Sequence, residues 1–166
     1  MIQRIQTVYL IIVAMLCLAG FFCPLASFYS GTQEIAEFNN WHFSVADESC
    51  AYLRTYAPVA LGALLVLVMM ITIMTIFLFH FRMRQLRLVI FSNILLLGYV
   101  GLMALLTSKF TLELSTELEN VVPDAALDFR IRAAAIFPVI SFILNCLAIH
   151  AIRKDEKLVR SLDRLR

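Results

Sequence analysis

Charged residues vanish from the chain in four long stretches. No Asp, Glu, Lys or Arg stands between Arg4 and Glu34, Arg54 and Arg82, Arg87 and Lys109, or Arg132 and Arg153, leaving gaps of 29, 27, 21 and 20 residues. A hydrocarbon core of about 30 Å takes about 20 helical residues to cross. Backbone polar groups must be satisfied internally there, so runs of this kind form helices. The pattern predicts spans near 7–23, 58–81, 88–108 and 133–152, a four-transmembrane-helix bundle in a single membrane domain. Two wetter loops, about 24–57 and 109–132, separate the spans on one side, and a tail, 153–166, follows the last.

The loops carry weaker signals. EIAEFNNWHFSV alternates and holds Asn39-Asn40 as a two-residue turn, which predicts a hairpin of Ile35–Phe38 with Trp41–Val45. KFTLEL also alternates. It reads either as a third strand of a small cap or as a helix with Leu114, Leu118 and Val121 on one face, ended by Pro123. In the tail, Leu158, Leu162 and Leu165 share a helical face and the charges lie largely off it, an amphipathic extension.

Composition agrees. With 61% hydrophobic and 16% charged residues in 166, and a mean hydropathy of +0.86, the chain lies far from soluble domains, which average about 45–50% apolar and about 25% charged. Lys and Arg set the orientation: 10 flank the termini and the middle loop, and 4 flank the two longer loops. The positive-inside rule puts both termini in the cytoplasm. The basic tail suits an anionic cytoplasmic leaflet.

Catalytic chemistry finds no constellation in this text, so a non-enzymatic protein without cofactor or metal is expected, and no nucleic-acid partner. Thr75, Asn93 and Asn145 lie 7, 6 and 8 residues from Arg82, Arg87 and Arg153. At 1.5 Å per residue they share a depth of about 9–12 Å, with Ser141 one turn further from the cytoplasm. This polar layer reads as packing glue, or as the lining of a lipid or quinone site. Pro138 should bend the fourth span, and Gly98, Gly101 and Ala104 should let a neighbouring helix approach. His80 and His150 read as interfacial rather than as haem ligands. Cys23 and Cys50 face the same side and are candidates for a disulfide. At the opposite end, Gln3, Arg4 and Gln6 could meet Asp155, Glu156 or Asp163. With Arg160 and Arg164 they would offer a docking surface for another protein.

The opening MIQRIQTVYL and the closing IRKDEKLVRSLDRLR resemble an uncharacterised family of small four-span inner-membrane proteins of Bacteroidetes, known only as a domain of unknown function. The resemblance implies an inner-membrane location with periplasmic loops and carries no activity or site residue. The function expected is an accessory subunit or scaffold, meeting other membrane subunits or its own copies. The alternative is a lipid- or quinone-binding protein.

Overall fold

A computed structural model describes residues 3–30, 32–45, 58–78, 81–121 and 127–163. Four helices, α1 (Gln3–Phe22), α2 (Val59–Phe77), α3 (Arg82–Val121) and α4 (Phe137–Asp163), each contain a stretch long and apolar enough to cross a membrane. Each helix packs on the next in chain order, and α4 returns to α1, closing a ring. Val13, Leu65, Val68 and Leu96 fill its centre, while Met15, Met70, Ile94 and Ile143 stay exposed outside. Apolar side chains both inside and outside are expected of a body whose surroundings are as apolar as its core.

Four strands, β1 (Ala26–Ser30), β2 (Gln33–Phe38), β3 (Phe43–Val45) and β4 (Leu127–Ile131), form an antiparallel sheet in the order β3-β2-β1-β4. The expected hairpin is present as β2 and β3, with a longer tip. Phe38 pairs with Phe43, and Asn39 N–H donates to the His42 carbonyl at 3.1 Å. KFTLEL resolves to helix: α3 runs unbroken through it, with Phe110 and Leu114 buried. The remaining strands come instead from 26–30 and 127–131. Alternation gives the sheet an apolar inner face, where Phe28, Phe38, Phe43 and Phe129 gather and Phe43 stacks on Phe110 at 4.5 Å.

Two expectations about the spans are corrected. Pro138 does not kink a helix interior. The chain enters α4 through a 3-10 turn, Ala133–Ile136, whose Ala134 carbonyl accepts from the Phe137 N–H, and Pro138 sits in the first turn of α4. A proline there costs no ladder bond, because first-turn N–H groups have no intrahelical acceptor. Gly98 and Gly101 do not make room for a neighbouring helix, since a Cβ at either would meet nothing within 4 Å.

Candidate functional site

The tip of the β2–β3 hairpin is driven into the open end of the bundle. Asn40 is fully buried; its Nδ2 donates to the Gly20 carbonyl at the end of α1, and its Oδ1 accepts from the Tyr99 hydroxyl on α3, both at 2.7 Å. The Gly20 carbonyl is one of the last four of its helix, which lack intrahelical donors, so Asn40 caps it. On α2, Gly62 makes the space: a Cβ there would lie 2.8 Å from the Asn40 carbonyl oxygen and 3.1 Å from the Trp41 ring. Trp41 meets Phe21 edge-on at 4.5 Å. Three helices are thus tied to one loop. The sequence pattern marks Asn40 only as one residue of a two-residue turn and carries no sign of Gly62 or Tyr99.

The outer face of the sheet is charged. Arg132 donates to Ser27 (2.8 Å), Tyr29 (3.1 Å) and Glu34 (3.1 Å), so one guanidinium bridges β1 and β2. The Ser27 hydroxyl first, then the hydrogen bond and charge of Arg132, hold the Glu34 carboxyl below its ordinary value. Arg130 pairs with Asp128 at 3.0 Å and lies over the Tyr29 ring at 4.8 Å. Glu37, opposite Ser27 in the register, extends the patch.

Thr75, Asn93, Ser141 and Asn145 are all buried, and of these only Asn93 on α3 and Asn145 on α4 are joined across helices among the described residues. Asn145 and Asn93 stand side by side across α3 and α4, donating to Ser92 Oγ (3.4 Å) and Cys146 Sγ (3.2 Å). Thr75 instead donates to the Ile71 carbonyl of its own helix at 2.7 Å. Asn93 Oδ1, Asn145 Oδ1 and Ser141 Oγ find no partner among the described residues. The cavity that Ser141 lines with Cys17, Tyr99 and Pro138 is about 10 Å³. That is room for about one water. Ser92, which sequence reading missed, carried no signal beyond being polar within an apolar run.

At the far end of the bundle Gln6 and Asp155 are both buried, and Ile5 and Tyr9 of α1 line a hollow with His150 and Lys154 of α4. Glu156 lines a neighbouring hollow with Arg153 and Lys157. The side chains of Gln3, Arg4, Arg160 and Asp163, and all of Arg164, lie outside the described residues, as do His80 and Cys50. Cys23 is exposed just beyond α1. Among the described residues no three His, Cys, Asp or Glu side chains converge on a metal site.

Four helices long and apolar enough to cross a membrane mark a multi-pass membrane protein, a four-helix bundle locked to a small antiparallel sheet. The chain belongs to the family described as a domain of unknown function, DUF4293, whose model matches residues 2–165. No curated protein matches it.

Proposed function

We propose that this chain is a non-enzymatic accessory subunit or scaffold of a bacterial inner-membrane complex. Both termini face the cytoplasm and the sheet faces the periplasm, a placement supported by the Lys and Arg asymmetry. The observation that carries the reading is the charged sheet face fixed to the bundle through Asn40. Exposed charges held on a rigid mount suit recognition of another subunit, or of a second copy of this chain, at a set height above the bilayer. The basic end of α4 adds attraction to an anionic leaflet at about 1 kcal/mol per basic residue.

The test is capture of the tagged protein, at native expression level, from its own membranes in mild detergent. A stoichiometric partner lost on Glu37→Lys with Asp128→Lys supports the reading, and a protein that purifies alone refutes it. Single cysteines replacing Ser44 and Lys154 test the orientation. With the four native cysteines replaced, an impermeant thiol reagent applied from the periplasm should label only the first.

A second reading, a lipid- or quinone-binding protein acting through Thr75, Asn93, Asn145 and Ser141, draws on the three acceptor atoms left unpaired there. A bound amphiphile that survives replacement of both asparagines by Leu refutes it.

A further inference from the structure

Away from the polar layer, the junction of bundle and sheet holds a groove of about 520 Å³. Ligand sites commonly enclose about 300–1,000 Å³. Its walls are α3 on one side and β1, β4 and the turn before α4 on the other. The deep end is apolar, made by Met103, Ala104, Leu25 and Ala135. The lining stays mainly apolar toward the sheet, where the α3 wall adds four hydroxyl-bearing residues, Thr107, Ser108, Thr111 and Ser115. The exposed side chains of Leu112 and Ile131 stand at its margins.

The polarity gradient matches depth in a bilayer. If α3 enters the hydrocarbon near Leu88, about 30 Å of rise brings it out near Ser108. Met103 and Ala104 then lie among acyl chains of the sheet-side leaflet. Thr111 and Ser115 stand about 5 and about 11 Å beyond Ser108, at headgroup level. An amphiphile in that leaflet has the same order of apolar and polar parts, pointing the same way.

The hydroxyls also select the headgroup. Ser108, Thr111 and Ser115 each donate their hydrogen to a carbonyl of their own helix, at Leu105, Thr107 and Leu112. What they offer a ligand is lone pairs alone. A headgroup bearing N–H donors satisfies them, and one with only acceptors or methylated nitrogen does not. By sequence, the two loops on the sheet side, about 24–57 and 109–132, carry 9 acidic residues against 4 basic. That balance favours an ammonium.

We propose that this groove binds one phospholipid of the sheet-side leaflet, its acyl chain against Met103 and Ala104 and its primary-ammonium headgroup at Thr111 and Ser115. This site is independent of the polar layer and of any protein partner.

The experiment is native mass spectrometry of the purified full chain, titrated with an ethanolamine phospholipid or with a choline phospholipid of identical chains. One ethanolamine lipid should be retained about tenfold more strongly, the ratio that one hydrogen bond to a charged donor supplies. Ala104→Trp, at an exposed helix position, should remove most of that retention while leaving helix content and melting unchanged. Thr111→Val with Ser115→Ala should bring the headgroup ratio close to one without filling the groove. Equal affinity for the two headgroups in the parent chain overturns the proposal. So does undiminished binding in folded Ala104→Trp, or an intermolecular disulfide through Ser108→Cys that places a second copy in the groove. Partner capture and the Asn-to-Leu test are untouched by these variants, so failure here is distinct from failure of either functional reading.

Discussion

Replacing Asn40 by Ala removes the tie between hairpin and bundle with little change at the surface. Two 2.7 Å bonds disappear, and the Gly20 carbonyl and Tyr99 hydroxyl are left in a buried setting. A net hydrogen bond is worth about 0.5–1.5 kcal/mol and a stranded buried partner costs about 1–3 kcal/mol. Water entering the vacated space offsets part of this, giving an expected cost of about 2–4 kcal/mol for seating the hairpin. Because opening the tip does not require unfolding the helices, the loss should be local. Hydrogen exchange of the bilayer-embedded protein reads it directly. The hairpin amides, including Asn39 N–H, should exchange about 30-fold faster or more, since 1.4 kcal/mol is tenfold, while those of α2 and α4 hold their rates. Tyr99→Phe alone should cost about 1–2 kcal/mol, and the double variant should cost less than the sum by about 1 kcal/mol. Hairpin exchange within threefold of the parent, or strict additivity, refutes the role assigned to Asn40.

Three further outcomes follow from the geometry. Gly62→Ala should unseat the same tip from the α2 side, costing about 1–3 kcal/mol by overpacking, with hairpin exchange again the readout. Glu34, whose folded-state value is lowered, stabilises the sheet above its ordinary value of 4.5, and that contribution fades as pH falls through the lower folded value. Exchange from β1 and β2 should therefore rise below about pH 4.5, modestly because the side chain is 40% exposed, and Glu34→Gln should flatten the dependence. Asn145→Leu combined with Ser92→Ala should change unfolding stability by less than about 1 kcal/mol, since it removes a 3.4 Å bond together with an unpaired acceptor. A loss of several kcal/mol would show that the layer holds the bundle together.

The helices were legible because lipid imposes one rule on every span, and a 20-residue gap in charge satisfies it without reference to any neighbour. The β2–β3 hairpin was legible from local alternation. Its tip was not, because Asn40 looks like any turn asparagine until Gly20, Gly62 and Tyr99, far apart in sequence, converge on it. KFTLEL alternates like a strand because Phe110 and Leu114 need only one buried stripe, and a helix supplies that through i and i+4. Strand β4 was hidden for the opposite reason. LDFRI is short, and its partner β1 lies about 100 residues earlier, at Ala26–Ser30. The groove left no mark in the sequence, since Thr and Ser in a helix bond their own backbone and read as neutral until a facing wall exists.

The 40 unbroken residues of α3 amount to about 60 Å of rod, about twice the thickness of the hydrocarbon it traverses. The sheet rests on its far third through Phe110 and Leu114. A rod pivoting near Arg82 moves its far end in proportion to its whole length, so a tilt of about 10° carries Val121 sideways by about 10 Å. Tilt is also how long spans answer a change in bilayer thickness. A tilt of the whole bundle inside the membrane would therefore carry the sheet sideways by a far larger distance than any shift within the hydrocarbon.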